Sequence, residues 1–214
     1  MPLSPAAPHS RRSAPRLAMI VLAATAMASL AACNTVRVAR VDPASVTDLS
    51  GRWNDTDSRL VANALISQSL DAEWARQWAS AHGGRAPTVI VSGFSNRTLE
   101  HIPVTTFTRD LERAYVNSGS VRVVAGTDER EPVRAERADQ QGNAVAGTRA
   151  RLAMEQGAQF MLQGDVQAIE DAQGRERAVT YQVDATLIDL ESNAKVWVGQ
   201  HRIKKTVDRR RFGW

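Results

Sequence analysis

Three long alternating runs near the C-terminal end constrain this chain more than any other feature. Phe160, Leu162, Gly164 and Val166 form the first, and Val179, Tyr181, Val183, Ala185 and Leu187 the second. Trp197, Gly199, His201 and Ile203 form the third, set against Val196 and Val198. A period of two sends alternate side chains to opposite faces of a sheet, so the runs predict three consecutive strands. Residues 171–175 and 189–195 have turn composition, which joins the strands as a meander.

Upstream, the pattern changes to helical spacing. Asp55 predicts an N-cap for a helix from Thr56, along which Leu60, Ala64, Leu65 or Ile66, and Leu70 recur; Trp74 and Trp78 continue it until Gly83-Gly84. Residues 88–91, between Pro87 and Gly93, predict a short buried strand, and residues 94–102 a polar loop at its carboxyl end. Thr105 or Thr106 opens a helix with Phe107, Leu111 and Tyr115 on its apolar face, Asn117-Ser118-Gly119 closes it, and residues 121–124 form another strand. Residues 129–141 predict an exposed helix rich in opposite-charge pairs, and residues 148–156 a further helix. The expected fold is a single α/β (α+β) domain: a mixed, mostly antiparallel sheet of four to five strands, flanked by helices and ending in a three-stranded meander.

Residues 1–32 read as a lipoprotein signal peptide, with Arg11, Arg12 and Arg16 ahead of an apolar run over 17–30. The run ends in Leu30-Ala31-Ala32-Cys33, and Cys33 is the single cysteine among 214 residues. That arrangement looks like a lipobox, in which small residues let the signal peptidase approach and the thiol takes a diacylglycerol. The alternative is a cut after Ala26-Met27-Ala28 that leaves Cys33 as a free thiol. With Cys33 acylated no disulfide can form, so the domain must hold itself by packing. Residues 33–48 are expected to be the lipidated N-terminus and a short flexible tether, 49–207 the globular domain and 208–214 a frayed basic tail. A tether of about 15 residues reaches no more than about 50 Å.

Composition narrows the function. Three arginines leave with the leader, which reduces the formal charge of +4 to about +1 and removes the case for nucleic acid. No cysteine and histidine cluster has metal spacing, no glycine-rich phosphate loop is present, and no cofactor is expected. Of the histidines outside the leader, His82 sits at a helix end and His201 in a strand, leaving His101 as the one on a polar loop. No Gly-x-Ser-x-Gly elbow accompanies it, so no catalytic residue is assigned.

The remaining chemistry is recognition. The loop residues Asn96, Arg97, Glu100 and His101 and the helix residues Arg134, Arg137, Gln140 and Gln141 offer arginines and amides suited to a protein partner. The competing reading is that the helix is a solvated face and that the loop residues close their own turn.

The stretch Asp48-Leu49-Ser50-Gly51-Arg52-Trp53-Asn54-Asp55-Thr56-Asp57-Ser58-Arg59-Leu60-Val61 resembles the LpoB family of penicillin-binding-protein activators. The likeness continues through Asn96-Arg97, Glu100-His101-Ile102, Asp110-Leu111-Glu112, Asn117-Ser118-Gly119, Arg134, Glu136-Arg137, Gln140-Gln141 and Gly164. It also takes in Tyr181-Gln182-Val183, Lys195-Val196-Trp197 and Lys204-Lys205. The resemblance implies a monomeric, non-enzymatic outer-membrane lipoprotein, anchored by acylated Cys33 and facing the periplasm. It further implies binding to the regulatory domain of a class A penicillin-binding protein, which raises peptidoglycan synthesis. Enterobacterial relatives carry a long Pro-rich linker that this chain lacks, and Asn34 lacks the aspartate that retains lipoproteins at the inner membrane. The readings that compete with it are an assembly or secretion lipoprotein of similar core, as in curli secretion, and a periplasmic hydrolase.

Overall fold

The computed structural model of the protein describes residues 38–208, so Cys33, the leader and residues 209–214 lie outside the described residues. The chain divides into two units, Met1–Pro43 and Ala44–Trp214, and the elements below belong to the second.

Helix α1 spans Asp55–Asp71. Its cap is Asn54 rather than Asp55: the Asn54 side chain accepts from the Asp57 N–H at 3.1 Å, and Asp57 Oδ2 accepts from the Asn54 N–H at 2.9 Å. This reciprocal box needs an acid three residues beyond the cap, and only Asn54 has one. The single long helix expected through Trp78 is two helices, because Ala72 is extended and α2 begins anew over Trp74–Ala81. The break turns Trp74 inward, where its indole N–H donates to the Ser69 carbonyl at 2.8 Å and its ring meets Phe160 edge-on at 5.3 Å.

Strand β1 (Thr88–Asn96) lies parallel to β2 (Arg122–Val124) on one side and to β3 (Phe160–Gln173) on the other. Helix α3 (Val104–Ser118) makes the crossover from β1 to β2 and ends at Gly119, whose φ of 66° closes the helix in the left-handed region. Strands β4 (Glu176–Asp189) and β5 (Lys195–Asp208) complete the meander, giving the order β2-β1-β3-β4-β5. β1 is longer than the sequence predicts, since residues 94–96 are strand and not loop. Gly93, at φ 102°, makes a bulge in which Ser92 is the extra residue, and Phe94 therefore falls opposite Gly164 and points into the core.

α1 and α3 pack on each other and on the sheet. Val61 and Leu65 of α1 and Phe107, Leu111 and Tyr115 of α3 are buried against Val89, Leu162, Val166, Val183 and Leu187. Each such side chain contributes about 1.5–3 kcal/mol by leaving water. The buried Ser69 and Tyr115 hydroxyls satisfy each other at 2.5 Å, and burial pushes the Tyr115 phenol up to about 12. Tyr181 and Trp197 lie on adjacent strands, the first fully buried and the second partly. On the opposite face the meander carries a polar ladder, in which Gln182 and Gln200 donate to Asp184 at 2.7 and 2.8 Å and Arg202 donates to Gln182 at 2.9 Å. The outer edge of β5 is closed at its middle by Gln68, whose amide pairs with both the N–H and the carbonyl of Gln200 at 3.3 and 3.2 Å.

Helix α4 (Thr127–Asn143) buries no residue and contains Pro132, which removes a backbone hydrogen bond from its first half. The helix expected over 148–156 is absent; a single 3-10 turn at Ala146–Thr148 leads into irregular chain with a turn at 152–153. Side chains of α4 explain this, because Gln140 Oε1 accepts from the Ala150 N–H at 2.9 Å and Gln141 Nε2 donates to the Ala150 carbonyl at 3.0 Å. Groups that a helix would use internally are thus held from outside.

Candidate functional site

Two groups of side chains come together, and between them they contain all eight residues nominated from the sequence. The first surrounds the loop after β1. Asn96 closes this loop: its Nδ2 donates to the Glu100 carbonyl at 2.6 Å, and its Oδ1 accepts from the Thr98 N–H at 2.9 Å and from the Thr98 hydroxyl at 2.8 Å. Glu100 turns inward. Its Oε2 accepts from the Trp53 N–H at 3.1 Å and its Oε1 from the Tyr181 hydroxyl at 2.8 Å, with Arg177 4.0 Å away. The same Tyr181 hydroxyl lies 3.1 Å from the Gly51 carbonyl, which shares its one proton, and the ring meets Trp53 edge-on at 5.4 Å. Burial pushes the Tyr181 phenol up, and the Glu100 carboxylate adds to the shift.

With Asn96 and Glu100 holding the loop, Arg97 and His101 remain exposed, and Leu99 projects fully at the tip. Arg97 is anchored through its backbone to Val166 at 2.9 Å, and its guanidinium lies 3.9 Å from Asp165. A rigid loop therefore presents a cation, an imidazole and an apolar tip.

A second anchor on the same segment escapes sequence reasoning. Lys205 Nζ donates to Asp57 Oδ2 at 2.6 Å, to Asp48 Oδ1 at 2.8 Å and to the Arg52 carbonyl at 3.2 Å. Burial acts against the ammonium, yet Asp48 and Asp57 outweigh it and hold the Lys205 pKa above that of an ordinary lysine. The hydrogen bond from Lys205, helped by one from Asn54, holds the Asp48 carboxyl below the usual range. The signal was present: Lys205 continues the inward phase of Trp197, Gly199, His201 and Ile203, where a lysine demands a buried acid.

The second group lies between α4 and the chain after it. Arg134 grips Glu155 with two bonds, Nε to Oε1 at 2.8 Å and Nη2 to Oε2 at 2.7 Å, while Arg137 Nη1 reaches Oε1 at 3.0 Å. The Arg134 hydrogen bond, with the charges of Arg137 and Arg130, pulls the Glu155 carboxyl down to about 2. Gln140 and Gln141 hold Ala150 as described above. All four nominated helix residues thus face the segment 149–155. Among the described residues no group of three metal-ligating side chains occurs, and no helix is long and apolar enough to cross a membrane.

The family model of the peptidoglycan-synthase activator LpoB matches residues 57–203. No curated protein matches the sequence. Among solved structures, the LpoB C-terminal domain from Salmonella enterica is 18% identical, covering 69% of this chain and 98% of that one, at a TM-score of 0.38. The corresponding Escherichia coli domain is 17% identical over 69% and 98% at 0.39. Lipoprotein GNA1162 from Neisseria meningitidis is 14% identical over 59% and 88% at 0.37.

Proposed function

The chain belongs to the LpoB family of peptidoglycan-synthase activators, and from that membership we propose that it binds and activates a class A penicillin-binding protein through the synthase's regulatory domain. It works by binding, without turnover. Acylated Cys33 anchors it to the outer membrane, with the domain in the periplasm. The observation that carries this reading is the span of the family match, which runs from Asp57 in the first turn of α1 through the meander to Ile203. Because the tether reaches no more than about 50 Å, this reading requires a synthase whose regulatory domain extends toward the outer membrane or a narrow periplasm.

The docking surface in this proposal comprises the exposed Arg97 and His101 on the rigid loop and the α4 face of Arg134 and Arg137. Arginine flanked by apolar side chains is the composition that interface cores favour, and both regions have it, with Leu99 at the first and Leu152 and Met154 at the second. The test is capture of the organism's class A synthases by the chain from residue 34 onward, alongside Arg97→Glu and Arg134→Glu variants of unchanged thermal midpoint. Capture by the wild type that either reversal weakens supports the reading. Capture that survives both reversals discards this surface, and no capture of any synthase removes the function.

A further inference from the structure

Arg130, Arg134, Arg137 and Gln141 recur at spacings of four, three and four, which places them in one stripe along α4. The stripe is occupied by the chain's own Glu155, held by both Arg134 bonds and by Arg137. Arg130, also on the stripe, has its Nε buried without a hydrogen-bond partner. Beside the carboxylate the chain is unsettled. Ala153 sits at φ 55°, a conformation unfavourable for a residue with a Cβ, and Leu152 and Met154 on either side are 55% and 61% exposed. Leu152 and Ala153, with Arg134, Arg137 and Glu155, line a groove of about 370 Å³.

The contact is separate from the core, because α4 buries no side chain and residues 151–155 are all exposed; the chain is tied down on either side of them, at Ala150 by Gln140 and Gln141 and at Gln156, whose Nε2 donates to the buried Thr88 hydroxyl at 2.9 Å. An exposed ion pair is worth little against water, so a carboxylate from elsewhere can replace it at small cost. The paired bonds from one guanidinium select a planar carboxylate, and the flanking Leu152 and Met154 suit apolar neighbours on the same ligand.

We propose that Glu155 is an internal stand-in for a partner's carboxylate: an acidic segment of the synthase's regulatory domain takes Arg134 and Arg137 on docking and displaces the strap over 151–155, between its anchors at Ala150 and Gln156. The strap thereby holds the free protein in a weaker-binding form. The identity of the partner rests on the function proposed above; the arginine cradle does not.

The experiment uses detergent-solubilised full-length protein and two probes: a fluorescein-labelled hexaglutamate peptide, and the purified regulatory domain of the class A synthase from the same organism. Circular dichroism first establishes that each variant is folded. Glu155→Gln is expected to bind both probes about five-fold more tightly than wild type, the scale of an exposed charge pair relieved. Adding Arg134→Gln abolishes the gain, and hydrogen exchange of amides 151–155 rises in Glu155→Gln and in wild type saturated with either probe. Equal hexaglutamate binding by wild type and Glu155→Gln overturns the inference, as does a gain that survives Arg134→Gln. An equal gain toward inorganic phosphate overturns the assignment to a carboxylate. Regulatory-domain binding that ignores both substitutions also overturns the inference while leaving the synthase reading intact. A hexaglutamate gain with no variant binding the regulatory domain keeps the cradle and overturns the synthase as its occupant.

Discussion

Replacing Lys205 with methionine probes the attachment of the N-terminal segment to the sheet. The substitution keeps the aliphatic stem and removes the ammonium, which strands the Asp57 carboxylate; its side chain is 4% exposed and that of Lys205 10%. Removing one member of a buried pair costs on the order of 3–5 kcal/mol. Asp57 retains the Asn54 N–H, so the cost falls near the lower end, about 3 kcal/mol, or a fall in melting temperature of roughly 6–12 °C. Adding Asp57→Asn removes the stranded charge while keeping an oxygen for the Asn54 N–H, and so restores at least half of the loss. Urea denaturation with unchanged m-values measures both effects. The reasoning fails if Lys205→Met lies within about 0.5 kcal/mol of wild type, or if the double variant is no more stable than the single. The pH dependence has a definite sign. The folded Lys205 pKa is raised, so its stabilisation is fully present below the ordinary lysine value and is lost as pH rises through the folded one.

Three further outcomes are expected. Gly164→Ala places a Cβ against the Asp184 carbonyl and the Phe94 ring, and because the carbonyl belongs to the sheet it cannot yield; a loss of about 1–3 kcal/mol should appear in thermal denaturation. The Glu155 carboxyl, followed by NMR, should stay ionised down to about pH 3, so that its contribution is present above the ordinary glutamate range and is lost as pH falls toward 2. Radiolabelled palmitate should enter the wild type and not Cys33→Ala, equal labelling of both being the result that discards lipid anchoring.

The meander was legible because its three strands each bury one face, so alternation survives in the residues themselves. β1 was only half legible, since the bulge at Gly93 shifts the phase by one residue and makes Phe94 to Asn96 look like loop. Residues 148–156 misled for the opposite reason: their local preference is helical, and tertiary bonds from Gln140, Gln141 and Arg134 overrule it. The same limit applies to the site. Residue type suggested Asn96 and Glu100 for a partner alongside Arg97 and His101, but only the fold reveals that the first two spend their hydrogen bonds on Thr98, Trp53 and Tyr181. Residues 48–58, Glu100, Tyr181 and Lys205, far apart in sequence, meet in one clamp that only the fold reveals.

Activation is measured most directly as the rate of glycan polymerisation by the purified class A synthase of the same organism, with and without the full-length protein. Stoichiometric addition should raise the rate, deletion of the synthase's regulatory domain should abolish the increase, and the protein alone should produce no polymer. An unchanged rate with the intact synthase, at concentrations that saturate binding, would contradict activation.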